Sequence, residues 1–506
     1  MSHLLLLVPF AALILANLLP RSARPAAAGI AFGVLLLQTV AVALPPLGLV
    51  DWSSLNPVDA AIGLHVSMDN LSILLLLSAG LAGMAALLAA GPGLKTGRER
   101  FLFANLVMVA LIGINGISMV RDLFSLYVFI EVTAIATFIL VALRHGVEAY
   151  EGAWKYIILS AVASVLMLSS IALLLLVEGG VSLEAVTHSL ATPGPIPLVG
   201  LSAIPDLGRP LASLPLVGLS AIPGLGRPLA SLPWIAAALF LCGLFIKGGL
   251  VPFHGWLADA YSSAPAPASI FMAGIVTKAS GVFALMRLSQ SVFGDALPAR
   301  WIFLVVGAVT LVIGAFLALT QSDMKRMLAY SSVSQIGYIV LALGGSPQLG
   351  IIAAAVHFFN HAVSKSQLFA NAQAIEEQLG TMSMDRMGGL GSRMPVTAGT
   401  SAVAALSIAG LPPLAGFWSK LLIVIALWQV GQYAFAAIAV LTSLVTLGYF
   451  LSLQRRVFFG TPLAEWASVK EAGGRLLIPA LALSLVTVAL GLAFPLVLSI
   501  LLGGGQ

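Results

Sequence analysis

The sequence has very little charge, and this shortage excludes a water-soluble fold. Only 8% of the 506 residues are charged, whereas an average soluble domain carries roughly 25%. By contrast, 60% of the residues are hydrophobic, and the mean hydropathy is +1.06. Apolar runs of transmembrane length recur from end to end, which is typical of a polytopic helical membrane protein.

Other features that define whole classes of protein are missing. The single cysteine, Cys242, excludes an intramolecular disulfide, and no cysteine cluster could hold an iron–sulfur centre. The chain contains neither a phosphate-binding loop nor a dinucleotide-binding glycine motif, so we expect no cofactor and no redox centre of its own. The net charge of +5 forms no basic stripe with interleaved aromatics, and nucleic acid is therefore not an expected partner.

The distribution of positive charge predicts the number of spans and their orientation. Fourteen apolar runs are long enough to cross the hydrocarbon at about 1.5 Å per residue. The odd-numbered loops then hold fourteen lysines and arginines, and the even-numbered loops hold four. Cytoplasmic loops are enriched in Lys and Arg, so the odd loops are predicted to be cytoplasmic and both termini external. No Lys or Arg precedes the first run, 4–19, which favours a retained first helix.

One predicted external loop contains a tandem duplication. Residues 197–214 and 215–232 are identical except for Asp206 against Gly224. We favour a tolerated insertion, because surface loops accept extra length at little cost. A segment that docks a partner is the alternative.

Two of the predicted spans are interrupted in the middle of the membrane. Span seven contains Pro252 within KGGLVP, and span twelve contains Pro412 and Pro413 within GLPPLAG. Proline removes a backbone donor, so both helices should unwind beside protein or a hydrated cavity. The breaks lie five spans apart, which predicts two inverted five-helix repeats. The predicted divisions are the first three helices (1–100), the first repeat with the duplicated loop (101–290), the second repeat (300–460) and the last helix (461–506).

Charged residues inside apolar runs indicate function, because one lysine in mid-bilayer costs about 2.5–3.5 kcal/mol on insertion scales. Five of the eight lysines fall in or at the edge of such runs: Lys155, Lys247, Lys278, Lys365 and Lys420. Lys155 lies near a helix start beside Trp154 and Tyr156, where it could reach the membrane surface. A structural role and a relay role are therefore equally open for Lys155. Lys247 and Lys278 lie too far inside their apolar runs for their side chains to reach the membrane surface.

The matching acid is Glu131, which lies well inside span five. We predict that Glu131 pairs with Lys247, and that separating the pair releases a proton. A static ion pair that locks two helices is the alternative.

Histidines extend the predicted route. His254 follows the break in span seven, while His357, His361 and Lys365 recur every four residues and share one helix face. Imidazole accepts and returns protons near neutral pH, which suits a relay. We expect no metal site, because the two histidines lack a third ligand.

Several motifs resemble one family closely. They are FIKGGLVPFHGWLADA (245–260), SAPAPAS (263–269), GIVTK (274–278), SDMKRMLAYSSVSQIGY (322–338), NHAVSK (360–365) and GLPPLAGFWSK (410–420). These motifs are similar to those of the proton-conducting, antiporter-like membrane subunits of respiratory complex I, Mrp-type Na+/H+ antiporters and membrane-bound hydrogenases. The resemblance covers roughly 69–460.

The resemblance implies an all-α protein of about fourteen transmembrane helices, with two inverted repeats and broken helices seven and twelve. It implies that Glu131 and Lys247 are the coupling pair, that Lys278 and Lys365 form the central relay, and that Lys420 passes the proton outward. Some members have glutamate at the position of Lys420, which disfavours that complex I subunit. The chain also ends without the lateral helix of the largest members, which favours a middle-sized subunit.

The implied setting is a prokaryotic inner membrane, with other membrane subunits as partners and H+, together with Na+ in some assemblies, as the transported ion. The sequence leaves open whether the parent assembly is a redox-driven translocase, and so whether the chain belongs to an enzyme. Two alternatives stay open at this point. One is a secondary cation/proton antiporter that works alone, and the other is a structural subunit whose buried charges only hold helices together.

Overall fold

The protein folds as an all-helical bundle with the character of a polytopic membrane protein. A computed structural model describes residues 3–44, 66–191, 232–294, 296–461, 464–466 and 468–503. Within these ranges the only β-pairing consists of isolated bridges. The predicted all-α fold class is therefore confirmed. The duplicated segment 197–232 lies outside the described residues except for Leu232, so its role stays a prediction.

The described residues form fourteen helical passes, one for each predicted run. They are α1 (Leu4–Leu18), α2 (Ala26–Ala43), α3 (Asn70–Gly93), α4 (Gly97–Met119), α5 (Leu123–Ala142), α6 (Val147–Glu178), α7a (Leu232–Gly248) with α7b (Gly255–Ser263), α8 (Ala266–Phe293), α9 (Leu297–Leu319), α10 (Met324–Leu343), α11 (Pro347–Leu379), α12a (Pro395–Ala409) with α12b (Ala415–Gln429), α13 (Tyr433–Val457) and α14 (Gly474–Gly503). A short helix, Leu183–Ala191, follows α6.

Length and composition place twelve of these passes in two groups and leave two passes outside both. In the described part of the chain, nine helices are long and apolar enough to cross a membrane on those criteria alone. Four further apolar helices are shorter: α1, α7a, α12a and α12b. The last three are halves of interrupted passes. Two long helices, α10 and α11, are absent from both groups; they carry the serines, histidines and lysines that the sequence singles out.

Capping residues at the ends of the helices explain where several of them begin and end. Asp69, Asp122 and Asp323 accept hydrogen bonds from the first turns of α3, α5 and α10. A side-chain acceptor at this position satisfies an amide that the helix leaves unpaired. Gly179 and Gly380 end α6 and α11 with φ of 69° and 68°, which glycine adopts without steric cost.

The same features recur in two stretches of the chain, as an internal repeat requires. Asp122 caps α5 and bridges to Ser182, and Asp323 caps α10 and bridges to Ser383. Long helices of 32 and 33 residues follow each of these, and a broken pass comes next. This recurrence supports the two-repeat architecture, while the predicted residue boundaries of the repeats stay a prediction.

The two breaks have the same backbone plan. Gly249 and Gly410 end the first half-helices with φ of 67° and 89°, and cis peptide bonds precede Pro252 and Pro413. The two half-helices of each pass are therefore separated by a few residues of irregular backbone. Such backbone is tolerated at membrane depth only where protein or a cavity surrounds it.

Helix α8 occupies the centre of the bundle. Its apolar window is completely buried, unlike that of any other candidate span among the described residues. Three segments of α8, Met272–Val276, Lys278–Phe283 and Ser289–Phe293, have π-helical hydrogen bonding. Short π segments inside an α-helix are frequent at functional sites.

Candidate functional site

The first group of the candidate site surrounds Lys247 near the end of α7a. The Lys247 ammonium donates hydrogen bonds to Glu131 Oε1 at 2.6 Å and to Ser160 Oγ at 2.5 Å. Ser164, one turn beyond Ser160 on α6, donates to the same carboxylate oxygen at 2.6 Å. The structure therefore brings together the predicted partners, and two serines that the sequence did not single out complete the contact.

The two members of this pair differ in burial. The Lys247 side chain is fully buried, whereas the Glu131 side chain keeps 22% of its surface exposed on the flank of the bundle. A buried charge needs a partner, because removing one partner from a buried pair costs about 3–5 kcal/mol. Lys247 therefore depends on Glu131 for charge compensation, while Glu131 itself is partly accessible from the flank.

Lys278 lies on α8 and is held by its own helix. Its ammonium donates to the carbonyl oxygens of Ala273 and Gly274, the latter at 2.8 Å. These carbonyls belong to the π segment Met272–Val276, in which the regular i→i−4 ladder is interrupted. Packing is close here, because a Cβ on Gly281 would lie 2.3 Å from Gly248 Cα. Lys278 is thus placed beside the end of α7a, which carries Lys247.

Helix α11 carries the next group. Lys365 donates to Leu328 O at 2.8 Å and to the Ser331 hydroxyl, both on α10. One turn earlier, both ring nitrogens of His361 are buried without a hydrogen-bond partner among the described residues. Helix α8 packs closely against α11 at this level, because a Cβ on Gly274 would lie 2.3 Å from Ser366 Oγ. Lys278, His361 and Lys365 are therefore buried together where α8 packs against α11.

His357 connects this cluster with α12b. Its ring is stacked on His361, with 6.4 Å between centroids, and its Nδ1 lies 2.9 Å from the Ser419 hydroxyl. Its Nε2 lies 3.2 Å from Gln335 Oε1. A hydroxyl can donate or accept, and a side-chain amide can present either end. These neighbours can hold His357 in either neutral tautomer, as a proton relay requires. Within the described ranges no group of three metal-ligating side chains occurs.

Lys420 ends the series on α12b. Its ammonium donates to Ser443 Oγ at 2.8 Å and to Ala409 O at 3.3 Å, and it lies 4.5 Å from the centre of the Tyr338 ring. Ala409 is the last residue of α12a, so a carbonyl at the negative end of a half-helix accepts from the lysine. Among the described residues no carboxylate pairs with Lys420, Lys278 or Lys365.

A charged cavity of about 690 Å³ opens at one end of the bundle. Asp259 on α7b accepts from Lys155 at 2.8 Å and from Arg326 at 3.0 Å, and Lys155 also pairs with Glu151. Lys155 remains 45% exposed. It faces this cavity rather than the buried cluster, so its contacts differ from those of the other four lysines. His254, half-buried in the break, lies 6.3 Å from Tyr330 between ring centres.

An ion cluster at the start of α3 was not anticipated from the sequence. Arg287 on α8 is almost fully buried and donates to both carboxylate oxygens of Asp69, while Arg121 donates to Asp69 Oδ2 at 3.3 Å. Burial alone would raise the pKa of Asp69, but the hydrogen bond and charge of Arg287 lower it below its usual range. This cluster ties the far end of α8 to α3.

Two signals in the sequence could have revealed the missed residues. Asp259 lies inside the FHGWLADA motif, where an acid four residues from the start of a half-helix needs a cation. Arg287 lies inside the eighth apolar run, whose only other charged residue is Lys278, and a charge in such a run indicates a buried partner. The serines carried no comparable signal, because serine also packs membrane helices without any role in transport.

Several known proteins are similar to this chain over most of its length. The family model described as NADH:quinone oxidoreductase/Mrp antiporter, TM, matches residues 120–446. The chain is 32% identical to NADH-quinone oxidoreductase subunit N of Desulforudis audaxviator over 447 residues, which cover 85% of this chain and 82% of the relative. It is 28% identical to a Na(+)/H(+) antiporter subunit of Alkalihalophilus pseudofirmus over 435 residues, covering 86% and 81%.

A solved structure agrees with these sequence matches. A chain of the Mrp complex from Dietzia sp. superposes with a TM-score of 0.82 at 26% identity. The match covers 99% of this chain and 96% of that one. The superposition therefore extends over the whole bundle rather than over one of its repeats.

Proposed function

The chain belongs to the NADH:quinone oxidoreductase/Mrp antiporter family, and we propose that it conducts protons across a membrane as an antiporter-like subunit of a multisubunit assembly. Relatives in this family are subunits of an NADH-quinone oxidoreductase and of a Na(+)/H(+) antiporter, which supports other membrane subunits as partners. Na+ is a second candidate ion for this chain, because one relative is a Na(+)/H(+) antiporter subunit.

One observation carries the proposal: among the described residues, a single acid pairs with the first lysine of a series, and the later lysines have no acidic partner. Lys247 is fully buried against Glu131, which is partly exposed on the flank. Lys278, Lys365 and Lys420 follow with hydrogen bonds to carbonyls and hydroxyls only, in the described part of the chain. A buried ammonium without an acid is poorly stabilised, so it passes its proton on readily.

The proposed route begins at the pair. When Glu131 moves away or is neutralised, the ammonium of Lys247 loses its compensation and gives its proton toward Lys278. The proton then passes to the His361–Lys365 group and on to His357. Ser419 connects His357 to the segment that carries Lys420, from which the proton leaves. Return of Glu131 stabilises a newly protonated Lys247 and resets the series.

The proposed orientation places the charged cavity on the cytoplasmic side of a prokaryotic inner membrane, with both termini outside. The excess of Lys and Arg in the odd-numbered loops supports this orientation. Arg144, Lys325 and Arg326, which line the cavity, belong to those loops or their helix ends. The cavity would then supply protons to the Lys247 pair.

A protease site placed at the N-terminus should be cut from outside intact cells, and cutting only after lysis would overturn the orientation.

The test of function is the substitution Lys247→Ala in the complex isolated with its partner subunits and reconstituted into vesicles. A potassium gradient with valinomycin imposes the potential, and pyranine trapped inside reports proton influx. We expect influx to fall at least about tenfold, as for removal of a general proton-transfer group. Lys95→Ala, an exposed lysine outside the bundle, is the matched control.

Two outcomes would contradict the proposal. Unchanged proton influx in an assembled Lys247→Ala complex would make the buried lysines structural. Full conduction by the chain reconstituted alone would instead favour a transporter that needs no partner subunits.

A further inference from the structure

A groove lined by three arginines lies on the flank of the bundle, away from the buried lysines. It has a volume of about 460 Å³ and is bounded by α2, α3, α4 and the start of α14. Its charged lining consists of Arg24, Arg100 and Arg475, and no acid is among its lining residues in the described part of the chain. Its floor is apolar, formed mainly by Phe32, Leu87, Leu88 and Phe101.

The three arginines are held close to the groove by contacts other than ion pairs. The Arg24 guanidinium lies over the Phe101 ring, 5.1 Å from its centre. Arg100 donates through Nε to Leu94 O at 3.0 Å, which leaves its terminal nitrogens available. Arg475 lies against α3, where a Cβ added to Gly91 would be 2.6 Å from Nη1. All three side chains are exposed, and none forms an ion pair with a described residue.

Arginines of neighbouring loops have a different environment. Arg144 pairs with Glu376, Arg326 pairs with Asp259, and Arg456 pairs with Asp385. Paired arginines add no net charge to their surroundings. The groove therefore concentrates three positive charges that have no ion-pair partner among the described residues, beside an apolar lining.

The arrangement has the chemistry of one kind of ligand. A guanidinium fork matches the oxygens of a phosphate, which it binds by paired hydrogen bonds. The apolar floor below requires a ligand that also carries hydrocarbon. Basic pockets between transmembrane helices on the positively charged side are places where anionic lipid head groups bind. An inorganic phosphate would use the arginines and leave the floor uncovered.

We propose that this arginine groove is a binding site for an anionic phospholipid. Its phosphate lies among Arg24, Arg100 and Arg475, and one acyl chain lies along Phe32 and Leu87 toward the membrane interior. The lipid would join α14 to the α2–α4 group, whose helices come from opposite ends of the chain. This proposal does not depend on proton conduction by the buried lysines.

Part of this geometry also has a structural explanation. Arg100 stabilises the carbonyl end of α3 through Leu94 O, and a cation is favourable there with or without a ligand. Arg24 and Arg475 donate no hydrogen bond to a described carbonyl. The experiment must therefore measure lipid binding directly, because a loss of stability alone would fit both explanations.

The test compares two triple variants of the full chain in nanodiscs. Arg24→Gln/Arg100→Gln/Arg475→Gln removes the groove charges. Arg98→Gln/Arg393→Gln/Arg455→Gln removes three exposed arginines of the same predicted side that form no ion pair with a described residue. Native mass spectrometry counts retained phosphatidylglycerol and phosphatidylcholine after release from discs with equal amounts of each. We expect the wild type and the control variant to retain phosphatidylglycerol preferentially, by about tenfold or more. The groove variant should lose that preference.

Several results would overturn the proposal. Equal retention of the two lipids by the wild type would do so, as would an unchanged preference in the groove variant. Displacement of phosphatidylglycerol by millimolar inorganic phosphate would assign the site to a free anion instead. If the groove variant does not fold, the single substitution Arg475→Gln, which removes no described hydrogen bond, must reduce the preference by itself for the proposal to stand.

Discussion

The two broken helices have the same backbone plan and stabilise their lysines differently. Lys247, before the first break, is paired with Glu131 and Ser160. Lys420, after the second break, has a carbonyl, a hydroxyl and an aromatic face, and no acid among the described residues. An acid compensates the full charge of a buried ammonium, whereas carbonyl and hydroxyl dipoles and an aromatic ring compensate it only in part.

This difference shows how an internal repeat can serve a directional task. If both halves held their lysines equally well, a proton would have no preferred place to stop. In the proposed route, the one acid that pairs with a lysine of the series among the described residues retains charge at Lys247, and charge is transferred at Lys420. Glu131 lies on the flank of the bundle, where a neighbouring subunit could contact it. The first repeat, which holds the Glu131–Lys247 pair, is therefore the one that a neighbouring subunit could control.

The largest expected effect comes from removing the feature that distinguishes the first half. Glu131→Gln keeps the shape of the side chain and removes its charge, so Lys247 loses the partner that stabilises its ammonium. We expect proton influx into reconstituted vesicles to fall at least about tenfold, comparable with loss of the lysine itself. Glu131→Asp should restore part of the activity.

A matched acid elsewhere provides the control for this comparison. Glu465 is exposed and pairs with Arg386 at 3.8 Å outside the bundle. Glu465→Gln should leave proton influx unchanged, since exposed pairs contribute little. Wild-type conduction by Glu131→Gln would mean that the two halves do not differ in the way proposed.

The second prediction concerns a variant in which Lys420, like Lys247, has an acid beside it. Ser443 Oγ lies 2.8 Å from the Lys420 ammonium, so Ser443→Asp would supply the acid that Lys420 lacks. The new pair should retain the proton and reduce conduction several-fold, measured with the same pyranine assay. Ser443→Asn has nearly the same shape without the charge and should have the smaller effect. Equal rates for the two variants would show that charge at this position is unimportant.

The third prediction uses the glycines of the two breaks. Both have positive φ, so alanine should destabilise either break by about 1–2 kcal/mol. A Cβ on Gly410 would also lie 2.9 Å from Lys420 Cδ, whereas a Cβ on Gly249 would meet Leu257 at 2.6 Å and not the lysine. Thermal unfolding should therefore show similar losses for the two variants.

Proton influx should separate them. Gly410→Ala displaces Lys420 and should reduce conduction about threefold beyond the reduction in Gly249→Ala. Gly448→Ala on α13, where a Cβ would have no neighbour within 4 Å, is the neutral control. If Gly249→Ala impaired conduction as much as Gly410→Ala, displacement of the lysine would not be the cause.

The smallest expected effect concerns two capping aspartates outside the spans. Arg287 lowers the pKa of Asp69 despite burial, whereas burial raises the pKa of Asp323 more than its hydrogen bond from Arg326 and the charge of Lys325 lower it. Asp69 therefore contributes stability above the ordinary aspartate pKa of about 3.9, and this is lost as pH falls through its lower folded pKa. Asp323 contributes stability below that value, and this is lost as pH rises through its higher folded pKa.

Substitution by asparagine keeps both caps and removes both charges. Asp69→Asn should lower the Tm at pH 7, and the difference from wild type should shrink as the pH falls below about 4. Asp323→Asn should leave the Tm at pH 7 unchanged or slightly raised. Parallel curves of Tm against pH for the two variants would contradict this assignment.

Much of the fold could be predicted because it depends on properties that are local in the sequence. Fourteen apolar runs correspond to fourteen helical passes, and the proline clusters correspond to the two breaks. The helix face shared by His357, His361 and Lys365 follows from spacing alone. The Glu131–Lys247 contact was expected because so few acids are available within the spans.

The partners of other charged residues could not be predicted, because they come from distant parts of the chain. Asp259 is 104 residues from Lys155, and Arg287 is 218 residues from Asp69. Serine and threonine are common in membrane helices for packing reasons, so Ser160, Ser164 and Ser443 gave no signal. The arginine groove brings together Arg24, just before α2, with Arg100 and Arg475 in the first turns of α4 and α14, and none of these segments indicates it alone.

The sequence by itself determined that this protein crosses a membrane many times and carries lysines within its spans, where contact with lipid would be unfavourable. It did so because hydrophobicity, proline and charge act on the residues of a single helix. Only the tertiary structure decided which lysine has an acid, which depend on carbonyls and hydroxyls, and where three arginines meet. Those outcomes follow from side chains approaching across helix interfaces, and that approach depends on how the whole bundle packs.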